Sequence, residues 1–179
     1  MSTTRIHIRQ ETTADHQQVF ELIEAAFAEV EYSDQSEHHL VKRLRKSDAF
    51  IPELSLVAEK GGELVGHILL TRIAIVNGEQ RSPSLALAPV SVLPTHQGQG
   101  IGGTLIKEAH KRAQALGHGS VILLGHADYY PRFGYRPTAE FGIRLPFAVP
   151  AENCMLVELQ TGALAGISGV VEYPAAFME

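Results

Sequence analysis

The sequence has 179 residues, of which 45% are hydrophobic and 20% charged, as is typical of a single globular domain. Its net charge of −5 argues against nucleic acid or an anionic membrane surface as a partner. The single cysteine excludes an internal disulfide and a cysteine-based metal site, so we predict no metal. The opening segment MSTTRIHIRQ lacks an apolar secretory region, and no apolar run reaches the roughly 20 residues of a membrane helix. We therefore expect one cytoplasmic domain over residues 1–179.

Hydrophobic periodicity predicts an α/β fold with a mixed sheet. The predicted elements, in chain order, are a strand at 6–8, a helix capped by Thr13, a helix at 36–46, strands at 54–58, 64–76 and 84–92, a helix that ends at Ala115, a strand at 121–124, a short helical turn at 129–133, and strands at 143–147 and 155–159. The last two strands are expected to form a closing hairpin. Antiparallel strands thus precede one β–loop–helix–β crossover.

The segment HQGQGIGG, residues 96–103, resembles a phosphate-binding loop that opens a helix. A P-loop is excluded, because Thr104 and Leu105 stand where that motif requires Lys and then Ser or Thr. The dinucleotide pattern G-x-G-x-x-G is matched at 98–103, but residues 94–97 separate it from the preceding strand. Antiparallel hairpins also precede it, so we disfavour that interpretation.

A third pattern, Gln-x-x-Gly-x-Gly, is filled by Gln97, Gly100 and Gly102. With it, the chain resembles the GCN5-related N-acetyltransferases (GNAT), whose corresponding loop binds the pyrophosphate of acetyl-CoA. The resemblance extends to GHADYYPRFGYRP, residues 125–137, where a Tyr-x-x-x-Gly-Phe-like signature holds Tyr130 and has Tyr135 in place of the usual Phe. Within the superfamily, the chain resembles the YhbS-like branch more closely. The segments that carry this likeness are SLVAEKGGELVGHILL, LGHADYYPRFGYRP and the tail ELQTGALAGISGVVEYPAAF.

The resemblance implies a mostly antiparallel mixed sheet with one parallel, splayed strand pair, flanked by helices. It implies acetyl-CoA as co-substrate, a small or peptidic amine as acceptor, and a monomer or homodimer. The residues that it assigns to acetyl-CoA binding are Val92, Leu93, Gln97, Gly98, Gln99, Gly100, Ile101, Gly102, Gly103 and Tyr130. For Val92 the claim concerns only the backbone, whose amide would polarise the thioester carbonyl.

Tyr130 is the candidate general acid, because a phenol with a pKa near 10 stays protonated at neutral pH and can protonate a leaving thiolate. Its alternative role is packing, which is the role we predict for Tyr129. A general base is harder to assign, since the strand SLALAPVSV has no carboxylate where many relatives place a Glu.

Six acids without an intervening Lys or Arg lie between residues 21 and 37, and they are predicted to attract a cationic amine. They are Glu21, Glu24, Glu29, Glu31, Asp34 and Glu37. We choose Glu37 as the base because it begins a predicted helix, and His126 is the alternative. The alternative for these acids is a solvated surface without a catalytic role.

The leading hypothesis is an acetyl-CoA-dependent N-acetyltransferase that acts by direct transfer. The missing strand carboxylate keeps a second hypothesis open, namely a catalytically silent acyl-CoA-binding sensor or regulatory module. A nucleotide-dependent dehydrogenase is a distant third.

Overall fold

The computed structural model describes residues 5–31 and 33–178, which form a mixed sheet covered by helices on both faces. The helices are α1 (His16–Phe27), α2 (Glu37–Leu44) and α3 (Ile101–Ala115). The strands are β1 (Ile6–Gln10), β2 (Phe50–Lys60), β3 (Glu63–Asn77), β4 (Gln80–Val92), β5 (Ser120–Leu124), β6 (Arg136–Pro137), β7 (Ile143–Arg144), β8 (Cys154–Glu158) and β9 (Gly169–Glu172). The strand order is β1-β2-β3-β4-β5-β8-β6, and β9 pairs with β3 and β7.

Alternating side chains divide the hydrophobic core between the two faces of the sheet. On β2, Leu56 and Ala58 pack in one cluster with Leu105 and Ile106 of α3. The intervening Val57 packs on the opposite face, in the cluster that contains residues of α1 and α2. Burying a side chain such as Leu105 contributes about 1.5–3 kcal/mol to stability. The long central strands are therefore rigidly held between the helices.

The parallel pair β4 and β5 is joined at only two positions, Leu85 with Val121 and Ala86 with Ile122. No further pair joins the described residues of these two strands, while β5 continues to pair with β8 as far as Leu124. Pro89 lies just beyond the last pair and has no amide hydrogen to donate to a neighbouring strand. The predicted splayed strand pair is confirmed.

The predicted closing hairpin over 143–159 is wrong. β7 has only two residues and pairs in parallel with β9, whereas β8 pairs antiparallel with β5 and β6. Pro146 and Pro150 lack amide hydrogens, so the segment between β7 and β8 is poorly suited to a ladder. The sequence pattern also missed β9, a four-residue strand of the tail that pairs with β3 at residues 74–76.

The helix boundaries differ slightly from the prediction. Thr12, not Thr13, caps a short 3₁₀ turn at Thr13–Asp15, and α1 begins only at His16. The Thr12 amide donates to the Asp15 carboxylate at 2.7 Å, which holds this turn. α2 begins at Glu37, one residue inside the predicted start, and ends at Leu44 rather than at 46.

A buried polar network fastens the end of α2 to the sheet. The Arg45 guanidinium donates to the Glu11 carboxylate, which also accepts the Ser55 hydroxyl at 2.9 Å. Ser55 Oγ lies 3.1 Å from Nε2 of His67, which is completely buried. Burial lowers the pKa of His67 to about 4, so the ring is neutral at pH 7. The network holds in place the helix that begins with Glu37.

Candidate active site

The glycine-rich loop has the backbone of an anion-binding turn. Gly98 and Gly100 have φ of 78° and 81°, in the left-handed region that favours glycine. A Cβ at either position would meet no atom of the protein within 4 Å, so the space beside them is open. α3 begins at Ile101, which places Gly102 and Gly103 in its first turn. The first amides of a helix lack acceptors within the helix and therefore attract anions.

A cleft of about 620 Å³, which we call the phosphate cleft, lies beside this loop. It is lined by Val90, Val92, His96, Gln97, Gly98, Gly100, Ile101, Gly102, Gly103, Thr104, Lys107, Tyr129, Arg132 and Phe133. Lys107 and Arg132 supply positive charge, and the described lining residues include no Asp or Glu. The charge and the free amides both suit a phosphate-bearing ligand.

Two glutamines hold the loop against the sheet. The Gln97 side-chain amide donates to the Val92 carbonyl at 3.0 Å, and Gln99 accepts from the Lys60 ammonium at 3.2 Å. Both side chains thus form hydrogen bonds within the protein. These bonds hold the glycine-rich loop in place beside the phosphate cleft.

At the end of β4, the amide and carbonyl groups of every second residue point into the gap between the splayed strands β4 and β5. The Leu93 amide donates to the Val65 carbonyl of β3 at 2.9 Å. Because only alternate residues of an antiparallel strand bond to the same neighbour, Val90 and Val92 direct their backbone groups away from β3. Val92, for which the backbone was predicted to act, therefore presents its amide to the gap, while the Leu93 amide is used within the sheet.

A second cleft, of about 560 Å³, lies on the other side of the split and is called here the apolar cleft. It is lined by Phe27, Glu37, Leu87, Ala88, Pro89, Val90, Leu124, Gly125, His126, Tyr130, Val149, Pro150 and Asn153. Val90 lines both clefts. The two spaces therefore adjoin where β4 and β5 separate.

The adjacent tyrosines line different clefts. Tyr129 lines the phosphate cleft, and its hydroxyl is 3.6 Å from the position that a Cβ on Gly102 would take. The Arg132 guanidinium lies over the Tyr129 ring, 4.6 Å from its centroid. Tyr130 instead lines the apolar cleft together with Glu37. Tyr129 thus has ring contacts, as predicted, but it also borders the phosphate cleft.

The Tyr130 ring is held from three sides. Its centroid lies 5.0 Å from that of Tyr129 and 5.7 Å from that of Tyr135, both edge to face. On the third side is Gly125, where a Cβ would come within 2.9 Å of Tyr130 Cδ2. The buried Tyr135 hydroxyl is 2.8 Å from Nε2 of His110 on α3. The tyrosine that replaces the usual Phe is therefore hydrogen-bonded, and its ring helps to orient Tyr130.

Of the three acids nearest to the start of α2, only Glu37 lines the apolar cleft. Its two carboxylate oxygens lie 2.7 and 2.6 Å from the Ser33 hydroxyl, which donates to the carboxylate. Asp34 accepts the Ser36 hydroxyl and amide, and these bonds lower the pKa of its exposed carboxyl. Glu31 is exposed. Glu37, Tyr130 and the exposed His126 are therefore brought to one cleft from distant parts of the chain.

Sequence reasoning missed Gly125 and Asn153. The Gly125 amide donates to the Asn153 carbonyl at 2.9 Å, and the Asn153 side-chain amide donates to the Gly125 carbonyl at 2.9 Å. These bonds fix the end of β5 to the segment before β8. A glycine directly after a buried strand was the available signal for Gly125. Nothing in the local pattern marked Asn153.

The family described as "Acetyltransferase (GNAT) domain" matches residues 7–138, which is most of the chain. The chain belongs to the GNAT family of acetyltransferases. Among its GNAT relatives is the uncharacterized N-acetyltransferase YjhQ of Escherichia coli (strain K12), 39% identical over 137 residues, or 74% of this chain and 75% of the relative. Another is the uncharacterized N-acetyltransferase YhbS of the same strain, 29% identical over 147 residues, or 82% and 86% of the two chains.

Solved GNAT structures confirm the predicted fold. The complex of Escherichia coli YhbS with CoA has a TM-score of 0.89 at 24% identity and covers 100% of this chain and 95% of that one. A GNAT family acetyltransferase from Brucella melitensis in complex with acetyl-CoA has a TM-score of 0.80 at 34% identity, covering 97% and 99%. The sheet with its splayed pair is thus the GNAT fold, and the resemblance drawn from the two motifs is confirmed.

Two further findings concern only residues 5–31 and 33–178. No helix there is long and apolar enough to cross a membrane. In the same residues, no group of three or more His, Cys, Asp or Glu side chains is arranged to hold a metal ion.

Proposed function

We propose that this GNAT protein transfers an acetyl group from acetyl-CoA directly to a primary amine, with Tyr130 as general acid and Glu37 as general base. The observation that carries the proposal is the meeting of the two clefts at Val90, where β4 and β5 separate. A thioester that arrives along one cleft would meet an amine held in the other. The similar structures of YhbS and the Brucella protein hold CoA and acetyl-CoA, respectively.

The residues of the phosphate cleft fit acetyl-CoA. Open space at Gly98 and Gly100 lets phosphate oxygens approach the loop amides, and Lys107 and Arg132 balance the negative charge. The backbone of Val90 and Val92 can bond an extended pantetheine arm in the gap, in the manner of an added strand. When bound, acetyl-CoA supplies an acetyl group already activated as a thioester.

The residues around the split would divide the proton transfers between them. Glu37 takes a proton from the ammonium, so that the amine nitrogen has a free electron pair. The Val92 amide donates to the thioester oxygen as the new C–N bond forms. As the C–S bond breaks, the Tyr130 hydroxyl donates its proton to the sulfur, and the second proton that the nitrogen loses in forming the neutral amide restores the Tyr130 phenol. The amide product then leaves with free CoA.

A catalytically silent acyl-CoA-binding module remains the second candidate. It is supported by one observation, that the stretch of β4 lining the apolar cleft, residues 87–90, carries no carboxylate. Release of free thiol from acetyl-CoA in the presence of a panel of amines separates the two functions. Acetyl-CoA binding without thiol release on any amine would favour the silent module.

Tyr130→Phe tests the general acid. We expect kcat to fall by about 10²-fold with little change in the KM for acetyl-CoA, because the hydroxyl acts mainly as the thiolate forms. Tyr129→Phe is the matched control and should keep its kcat. Full turnover in Tyr130→Phe together with a loss in Tyr129→Phe would show that the wrong tyrosine had been chosen.

Glu37→Gln tests the general base. The wild-type rate should rise with pH through the neutral range and level off when the base, or the amine itself, is deprotonated. The variant should raise the KM for the amine and flatten this profile while acetyl-CoA binding stays unchanged. Glu31→Gln, which removes an exposed acid outside the cleft, is the control. If Glu37→Gln leaves KM and profile intact, His126 becomes the next candidate.

A further inference from the structure

The apolar cleft is lined mainly by apolar side chains, with one carboxylate among its described lining residues. Eight of its lining residues are apolar: Phe27, Leu87, Ala88, Pro89, Val90, Leu124, Val149 and Pro150. No Lys or Arg is among the described residues that line it. Glu37 is the one Asp or Glu of that lining, and the Asn153 amide is committed to the Gly125 carbonyl. One negative charge thus stands beside a broad hydrophobic wall.

Leu124 shows that this wall is accessible. It ends β5, a strand whose other residues are buried, yet Leu124 is 46% exposed. An apolar ligand body placed against Leu124 would therefore remove hydrophobic surface from water. The cleft volume of about 560 Å³ lies within the range typical of small-molecule sites.

We propose that the acceptor is a small primary amine on an uncharged apolar body, such as an arylalkylamine. This proposal rests on the proposed function and names its substrate class. The ammonium pairs with Glu37, while the apolar body lies against Leu124 and Val149. An acceptor with a carboxylate on its body is disfavoured, because that charge would lose water without gaining a cation in the described lining.

Three amines that differ in one property each test this class. Phenethylamine has the apolar body, ethanolamine has an ammonium of similar pKa without it, and para-carboxyphenethylamine adds a carboxylate to the same body. Thiol release should give kcat/KM for phenethylamine at least about tenfold above that of either other amine. The KM for acetyl-CoA should be the same with all three.

Leu124→Asn tests whether this cleft is responsible for the selectivity. The variant should raise the KM for phenethylamine several-fold and leave that for ethanolamine nearly unchanged. Leu116→Asn is a matched control, because Leu116 has almost the same exposure, 47%, but lies at the end of α3 and not in the cleft. It should keep the wild-type preference.

The outcomes separate the substrate class from the proposed function. Equal or better turnover of ethanolamine or the carboxylated amine would overturn the apolar class and leave the acetyltransferase assignment standing. If no amine releases thiol, calorimetry on the CoA complex decides. Phenethylamine binding that Leu124→Asn weakens would then uphold the apolar specificity of the cleft, and the wider panel of amines would decide catalysis. Absence of phenethylamine binding would overturn the apolar class.

Discussion

Alanine at Gly125 should displace the proposed general acid without touching its hydroxyl. Gly125 does not have a positive φ, so its backbone accommodates alanine. The added methyl group would lie 2.9 Å from Tyr130 Cδ2 and closer still to Cε2, where ordinary carbon contacts are about 3.5–4.0 Å. The Tyr130 ring, packed edge to face by Tyr129 and Tyr135, must therefore shift by about 1 Å.

A displacement of this size has a large expected effect on turnover. A misplacement of about 1 Å in the reacting geometry can reduce a rate by about 10²-fold. We therefore expect Gly125→Ala to lower kcat by about 10²-fold, close to the loss expected for Tyr130→Phe. The glycine-rich loop lines the phosphate cleft and not the apolar cleft, so the dissociation constant for CoA should change little.

The assay is thiol release at saturating acetyl-CoA, with CoA binding by calorimetry and the Tm measured in parallel. Gly119→Ala is the matched control. Gly119 directly precedes β5, at the end of the strand opposite to Gly125. Its added methyl group would lie 2.9 Å from Ala163 Cβ, so it introduces a similar overlap away from both clefts. This control should lower the Tm but keep kcat.

The double variant Gly125→Ala/Tyr130→Phe tests whether Gly125→Ala acts through the Tyr130 hydroxyl. If Gly125→Ala acts by moving the Tyr130 hydroxyl, it should cost little further activity in a Tyr130→Phe background. Full kcat in a folded Gly125→Ala protein would refute the reasoning. Additive losses in the double variant would show that Gly125 affects catalysis by another route.

Two further predictions concern the glycine-rich loop and two histidines with a lowered pKa. Gly100→Asp should weaken CoA binding more than tenfold, because a carboxylate would face the phosphates, whereas Gly100→Asn, which tolerates the same backbone, should lose much less. Equal affinity in wild type and Gly100→Asp, measured by calorimetry, would contradict the loop assignment. Burial lowers the pKa of His67 and of His110 to about 4, so below pH 6.5 the unfolded chain takes up protons that the folded chain does not. The free energy of unfolding, measured with urea, should therefore fall from pH 7 to pH 5 by about 2 kcal/mol for the completely buried His67, and by less for the partly buried His110. A constant value over that range would contradict the burial of neutral rings.

Local motifs allowed much of the fold to be predicted. The glycine loop, the Tyr130 segment and the hydrophobic periods of β1 to β5 each lie within a short stretch, where conformational preference and pattern act directly. The tail was not predictable in this way. Strand β9 is four residues long, and its ladder depends on β3 and β7, which lie far away in the chain.

The positions of Tyr129 and Tyr130 could be predicted only in part from the local sequence. A helical turn indicates that Tyr129 and Tyr130 point in different directions, but it does not reveal which cleft each one borders. That depends on Gly125, whose missing side chain makes room for the Tyr130 ring, and on Tyr135, which packs against it. These are packing relations, and packing is decided by the whole assembled core.

The sequence by itself determined the family, because two contiguous motifs carry it, and the same motifs predicted the phosphate-binding loop and the candidate acid. Only the tertiary structure decided that Glu37, and not Glu31 or Asp34, lines the cleft with Tyr130, and that the cleft is otherwise largely apolar. The physical reason is that a cleft is a surface shared by α1, α2, β4, β5 and the segment before β8. Its shape and charge arise only when these elements pack together.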